Sequence, residues 1–444
     1  MVQGVLTVVA EVSPAHLPAL VSLLAELDAA LDGQGGPPVV DFRALETVHF
    51  ARFVVLPPNA AGKTHLAFSV AYDGPLNVHI DELVVRAGDG LCTVFAHCTG
   101  FPESASAAND LRAYLTARAI PYGAMHVGYV GRTMSDVRRE EALRRFIGQT
   151  LDAAKISTLP TPERPARVIR KEVIDLVAKS EFRWALEPRA AKIAPSGVEG
   201  WWKGTAAVLV GVAALAVAIA AAFAVGHGVA FVVTLVGGSG VAGALVVALL
   251  RRAEETDPAK TDTDIARGLA NAEDEDYGVT NQLTHVAAIK PGAFRMFVLR
   301  GVLFTIELRA RLQFWRGDLG GIETIHCAHW AILHEEQPRL LFCSNYDGSW
   351  ERYLGDFIEE AGAGMTAVWS NTVNFPKTRF LIDDGAKNER VFKAWTRENQ
   401  VRTDVWYRAN PDISCRNLND NSKLRDGLRG YMAEADARDW LRYL

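Results

Sequence analysis

An α+β fold made of two tandem ferredoxin-like units, closed on each other as an intramolecular barrel, is what the sequence predicts. Three observations carry that expectation. Segments near the N-terminus recur in register near the C-terminus. Each copy alternates strand-like and helix-like stretches in one order, β-α-β-β-α-β. The segment between the copies has a composition unlike either.

The register is long. "LTVVAEVSPAHL" (Leu6–Leu17) lies on "LTHVAAIKPGAF" (Leu283–Phe294) at a shift of 277. At the same shift "LETVHFARFVVL" (Leu45–Leu56) lies on "IETIHCAHWAIL" (Ile322–Leu333). Beyond a hairpin the shift is 274, where "AYDG" (Ala71–Gly74) meets "NYDG" (Asn345–Gly348) and "TVFAHCTGFP" (Thr93–Pro102) meets "AVWSNTVNFP" (Ala367–Pro376). At 281, "RAYLTARAI" (Arg112–Ile120) meets "KAWTRENQV" (Lys393–Val401), and Leu143 and Arg144 meet Leu424 and Arg425. A period this long marks a duplicated domain, not a solenoid.

Each copy opens with an apolar strand (Gly4–Val12; Thr280–Ile289) that runs past a proline into a helix (Pro14–Leu31; Gly292–Trp315). A second strand (Glu46–Leu56; Glu323–Leu333) turns back through a polar loop into a third (His65–Ala71; Arg339–Asn345). Tyr-Asp-Gly then makes a turn into a second helix (Pro75–Val85; Ser349–Ala361), with Ser349 as N-cap. A closing strand (Leu91–His97; Met365–Asn371) completes the unit. The boundaries predicted are 1–150 for the first half, 151–204 for a linker, 205–250 for an apolar hairpin, 251–278 for an acidic solvated tether and 279–444 for the second half.

The hairpin expectation rests on two uncharged runs, Thr205–Val225 and Val229–Leu250, each long enough to cross a bilayer core as a helix. Trp201 and Trp202 stand before them, and basic residues flank both ends. The sequence therefore predicts a two-helix transmembrane hairpin, the lipid bilayer as a partner, and both halves on the inner side of the cytoplasmic membrane. The helix Ala293–Gly317, apolar with five arginines, reads as a membrane-surface helix or as a core helix with a basic outer face.

Net charge is -5, with no basic field to hold a nucleic acid. Five cysteines with no metal-knuckle spacing read as reduced thiols, most of them small core residues. "AAGKT" (Ala60–Thr64) lacks the leading glycine of a phosphate loop and falls between two strands. No metal-ligand motif is present in the sequence.

The candidate chemistry lies in the second copy. Strict alternation puts Ile322, Thr324, His326, Ala328 and Trp330 on one face of the second strand and Glu323, Ile325, Cys327, His329 and Ala331 on the other. One face must line the space between sheets, so one histidine is expected there as a haem ligand or a general base. The competing reading is a buried histidine bonded to Thr324 or a carbonyl. Glu323 and His326 repeat Glu46 and His49, whereas His329 replaces Arg52 and His285 replaces Val8. Asn371 and Trp369 stand where the first copy has His97 and Phe95, Arg397 lies near the counterpart of Arg118, and all three read as pocket-lining or as packing.

The duplicated halves resemble, in topology, the dimeric α+β barrel superfamily, which includes dye-decolorising peroxidases, chlorite dismutases and cofactor-free monooxygenases. The GxxDG motif of the peroxidases is absent from the chain. The resemblance implies an oxidoreductase acting on a small or lipophilic substrate, with haem as the cofactor to look for. His326, His285 and Trp330 are then candidates to hold it, and His326, His329, Glu323, Arg397 and Asn371 to act on substrate. The alternative is a non-catalytic, membrane-tethered binding or scaffold protein, its barrel filled and its histidines satisfied by hydrogen bonds. Either is compatible with a homo-oligomer.

Overall fold

The computed structural model describes residues 3–102, 108–189, 244–261, 278–312 and 321–444. The first half comprises β1 (Gln3–Glu11), α1 (Leu17–Leu31), β2 (Val48–Leu56), β3 (His65–Asp73), α2 (Leu76–Phe95), α3 (Ala108–Arg118), β4 (Ala119–Ile120) and β5 (Tyr122–Val127). Helices α4 (Met134–Ala153) and α5 (Ala166–Ala178) follow. A helix over 244–256 is α6. The second half comprises β6 (Thr280–Ala288), α7 (Ala293–Leu312), β7 (Ile325–Leu333), β8 (Arg339–Asp347) and α8 (Trp350–Trp369). The short strands β9 (Thr378–Arg379) and β10 (Asp383–Asp384) precede α9 (Glu389–Asn399), β11 (Val405–Arg408), α10 (Cys415–Asp426) and α11 (Glu434–Trp440).

Two large antiparallel sheets result, beside the small antiparallel pair β9 and β10. The first has the order β11-β2-β3-β1-β4 and the second β5-β7-β8-β6. Each half lends a strand to the other's sheet: β5 pairs with β7, Met125 opposite His329, and β11 pairs with β2, Trp406 opposite Arg52. The first crossing falls at Pro121, between β4 on β1 and β5 on β7. A proline has no N–H to give a ladder, which suits it to a switch point. At the opposite corner Gln400 bridges His285 before the chain joins β2.

The helices cover the outer faces. On α2, Ile80, Leu83, Ala87, Leu91 and Val94 recur at helical spacing and are buried against the first sheet. On α8, Tyr353, Leu354, Phe357 and Met365 do the same on the second. Between the sheets, Val54, Leu56 and Ala67 meet Val286, Leu333 and Leu341. A further core joins α4 and α5 to α10 and α11, around Leu143, Ile147, Val173, Leu424 and Trp440.

Two sequence expectations are corrected. The closing strands expected at Leu91–His97 and Met365–Asn371 are chiefly the last turns of α2 and α8. A short apolar run bounded by a turn fits a buried helix end as well as a strand. The transmembrane hairpin, and with it the bilayer-embedded placement at the cytoplasmic membrane, is not supported: among the described residues no helix is long and apolar enough to cross a membrane. Residues 205–243 of that segment lie outside the described residues, and its last residues form the start of α6, which continues through charged positions. There Glu254 is 4% exposed and accepts from Thr378 Oγ1, Phe380 N and Leu381 N. The expected solvated tether thus begins as a docked helix. Arg295 of α7 is likewise buried, paired with Asp257, and not displayed on a basic face.

Candidate functional site: a cleft between two histidine–aspartate pairs

A bulge interrupts both second strands at the same place. In β2 the register slips between Val48 and Phe50, and in β7 between Ile325 and Cys327. The extra residues are His49 and His326, and a bulge re-aims the side chain it carries. Strict alternation puts His326 and His329 on opposite faces. The bulge overturns this: His326 packs edge-on against Phe50 of the other sheet, ring centroids 5.5 Å apart, while His329 also faces the other sheet.

Each re-aimed histidine meets the aspartate that ends the third strand. His49 Nε2 lies 2.9 Å from Asp73 Oδ1, and His326 Nε2 lies 2.7 Å from Asp347 Oδ1. The second carboxylate oxygens accept from the first residues of two helices, Met134 N to Asp73 Oδ2 at 2.6 Å and Cys415 N to Asp347 Oδ2 at 2.7 Å. Thr133 and Ser414 cap those helices through their side chains. A carboxylate at a helix N-terminus accepts from the free N–H groups there and lies favourably in the helix dipole. The sequence showed Tyr-Asp-Gly only as a turn; its signal as a site was an aspartate recurring beside a recurring histidine.

The pairs then diverge. Tyr129 Oη stands 3.1 Å from His49 Nδ1. With Asp73 holding the Nε2 proton, Tyr129 donates and a Tyr129–His49–Asp73 chain is complete. Burial raises the Tyr129 hydroxyl well above its ordinary pKa, which keeps it a donor. At a shift of 281, the shift that also carries Thr133 onto Ser414 and Met134 onto Cys415, Tyr129 falls on Asn410. Among the described residues His326 Nδ1 has no hydrogen-bond partner. It borders a narrow cleft, open at its mouth and with room for about one water molecule, walled by Tyr129, Phe50, Asn410, Val137, Ile413 and Leu418.

His329 and Arg52, equivalent in the two copies, lie in the inter-sheet space. His329 Nε2 contacts Thr7 Oγ1 at 3.2 Å and Ser69 Oγ at 3.4 Å. Burial, reinforced by the Arg52 charge, pushes its pKa down to about 3, so it is neutral. Arg52 donates to Gln282 Oε1, Leu283 O, Thr284 Oγ1, Ser344 O and Asn345 Oδ1. All five acceptors are uncharged, and burial lowers the guanidinium pKa.

The remaining predicted residues do not converge on this cleft. His285 is 1% exposed on the helix side of the second sheet, wedged between Trp369 and Trp395 at 4.6 and 4.7 Å. Burial pushes its pKa down to about 3. Trp330 stacks on Phe342 at 4.7 Å in the same core. Asn371 is buried and spends its amide on Ala367 O and Val368 O. Arg397 lies over the Trp350 ring at 3.6 Å and bonds Gln400. Glu323 is exposed ahead of β7.

These residues do not fit a haem. An axial histidine needs a bare nitrogen facing a space the size of a porphyrin. His326 offers Nδ1 to a cleft far smaller than that, His329 is surrounded by the side chains that fill the inter-sheet space, and His285 is sandwiched between indoles. Among the described residues no group of three or more His, Cys, Asp or Glu side chains could hold a metal ion. No family model, no curated protein and no solved structure matches this chain. What the arrangement can do chemically is accept a hydrogen bond, or a proton, at His326 Nδ1 while Asp347 supports the opposite ring nitrogen.

Proposed function

We propose that the protein is a non-catalytic binding or scaffold protein whose inter-sheet space is filled by its own side chains. The observation that carries this reading is Arg52, which crosses that space and bonds five acceptors on the second copy. A residue so committed holds two sheets together and leaves its site to no cofactor. The paired histidines fit the same reading, since each fastens a strand to a helix start through an aspartate. The haem-dependent oxidoreductase expected from topology has less support, because none of its candidate ligands faces a porphyrin-sized space. The test is an absorption spectrum of the purified protein with and without added haemin, repeated with His326→Ala, His329→Ala and His285→Ala. The expected result is no sharp Soret band in any form. A band abolished by one substitution would return the protein to the haem oxidoreductases.

A further inference from the structure

The second copy carries polar machinery that the first lacks. Between Pro376 and Lys393 the repeat shift rises from 274 to 281, so the second copy is seven residues longer there. The longer stretch contains the hairpin β9–β10, in which Phe380, Leu381 and Asp384 take left-handed backbone angles, φ 51°, 69° and 61°. None of the three is glycine, so the conformation is strained and is held by its contacts. Its chief contact is Glu254 of α6. Phe380 N donates to Glu254 Oε2 at 3.1 Å, Leu381 N to Oε1 at 2.7 Å and Thr378 Oγ1 to Oε1 at 3.1 Å, beside Arg251 from α6 itself. Successive backbone N–H groups closed on a carboxylate form an anion nest. Just beyond, Asp257 Oδ2 meets Lys290 Nζ at 3.1 Å and also Arg295 Nη2. At the shift of 277, Ser13 and Pro18 stand in the first copy where Lys290 and Arg295 stand in the second. A nest and a pair of cations, both particular to one copy, thus grip two acidic residues of one short strap.

We propose that this surface binds an acidic segment of a partner protein, one that presents a glutamate and an aspartate three residues apart, and that the chain's own residues 250–260 occupy it in cis. This deepens the binding reading and rests on it. The nest takes one carboxylate and the Lys290–Arg295 pair takes the other. Residues three apart on a helix share a face, so a single turn delivers both. Lys377 Nζ reaches the carbonyl oxygens of Glu254 and Glu255, which any backbone in that place supplies. The resident aspartate leaves the second point partly unused. Arg295 is 4% exposed, and its Nε and Nη1 have no hydrogen-bond partner. A buried donor without an acceptor is costly, and a carboxylate that spans the guanidinium fork gains there over Asp257. What favours the strap is its tether, which keeps its concentration at the site high.

The probe is a fluorescein-labelled peptide of residues 250–261, followed by fluorescence anisotropy on the whole protein. The matched control peptide carries Glu254→Gln and Asp257→Asn. The same two substitutions made in the protein disarm its strap and leave the site intact. The disarmed protein is expected to bind the acidic peptide at least about tenfold more tightly than wild type does, because the tethered competitor is gone. It is expected to bind the control peptide at least about tenfold more weakly than the acidic one, the loss of two charge-assisted contacts. Adding Arg295→Met to the disarmed protein is expected to abolish binding. No binding by the folded disarmed protein, equal binding by it and wild type, or equal binding of the two peptides would each overturn the assignment. Asp257→Asn alone keeps the side-chain shape and the Glu254 anchor, and serves if the double variant misfolds. It is expected to gain affinity over wild type, and no gain would overturn the assignment equally. A wild type that sediments as a dimer, with Asp257→Asn a monomer, would give the site to the strap of a second copy and overturn the assignment to a partner protein. A Soret band with haemin would instead strike the filled-interior reading, whatever the peptide does.

Discussion

The Arg52 guanidinium donates to the Asn345 carboxamide oxygen at 2.6 Å and so fastens β2 of one sheet to β8 of the other. Its other bonds reach Gln282, Leu283, Thr284 and Ser344, on β6 and β8. Removing the donors takes one buried hydrogen bond from each acceptor, although Asn345 Oδ1 keeps Trp406 Nε1 and Gln282 Oε1 keeps Thr403 Oγ1. Arg52→Met, similar in length but without donors, is expected to destabilise by about 3 kcal/mol or more. Urea denaturation gives the value, and a loss below about 1 kcal/mol would show that the network adds little.

Asp347 sets which nitrogen of His326 carries the proton. With the carboxylate accepting at Nε2, the tautomer is Nε2–H and Nδ1 is bare. In Asp347→Asn the amide oxygen is wanted by Cys415 N, whose bond to Oδ2 is 2.7 Å, which turns the amide N–H toward the ring. The ring then accepts at Nε2 and moves its proton to Nδ1. Long-range 15N–1H correlation spectra of the His326 ring are expected to show that exchange of tautomers. An unchanged spectrum would mean that the aspartate does not set the proton.

Much of this site was legible in part. The repeated His49 and His326 stood out because one strand is written twice, and Asp73 and Asp347 were visible inside a repeated Tyr-Asp-Gly. The bulges were not legible, because a bulge adds a residue without changing the apolar pattern around it. Strict alternation therefore set His326 with Trp330 and opposite His329, and left open which of the two histidines faces the inter-sheet space. The helix partners Met134 and Cys415 were beyond reach, since both contacts span the chain. Strand β1 was read within a residue of its observed ends, whereas the ends of α2 and α8 were read as strands.

Gly128 is where the end of β5 touches the bulge of β7. Its N–H donates to His326 O at 3.0 Å, and a Cβ there would overlap the Ile325 carbonyl. Gly128→Ala must push the following loop outward and draw Tyr129 off His49. The expected cost is about 1–3 kcal/mol. Gly148, inside α4 with nothing within 4 Å of an added Cβ, is the contrasting position, and Gly148→Ala is expected to stabilise by roughly 0.5–1 kcal/mol. Thermal unfolding of the two variants side by side separates a steric effect from helix propensity. Equal shifts would contradict the proposed close approach.

Thiol labelling tests the packing at five separate points. Cys98, Cys327, Cys343 and Cys415 are buried, and Cys92 is partly exposed. Burial pushes the Cys98 and Cys327 thiols up to about 12 and raises the Cys343 and Cys415 thiols as well. A thiol reagent acts on the thiolate. In native protein near neutral pH one slow equivalent is expected, assigned to Cys92 by mass spectrometry, and all five in denaturant. Fast labelling of Cys327 or Cys343 would show that the inter-sheet space opens.

Acid should reveal two of the buried histidines, His285 and His329. Burial holds His285 and His329 near 3 in the folded chain, while unfolded histidine titrates near 6.5. Between those values the unfolded chain binds protons that the folded chain refuses. Stability therefore falls as pH drops from about 6.5 toward 3, and neither group contributes to a pH slope above that window. Each histidine supplies about 1.4 kcal/mol per pH unit across it. His285→Val installs the residue the first copy has at the equivalent place, Val8, and removes one of the two. The smaller side chain leaves a gap between Trp369 and Trp395, but that cost is the same at every pH. Urea denaturation of wild type and variant at several pH values from 4 to 7 isolates the term. The stability difference is expected to move in the variant's favour by about 1.4 kcal/mol for each pH unit below about 6.5. A difference that does not change with pH would mean that His285 takes up protons as readily folded as unfolded, and that its place between the indoles is open to water.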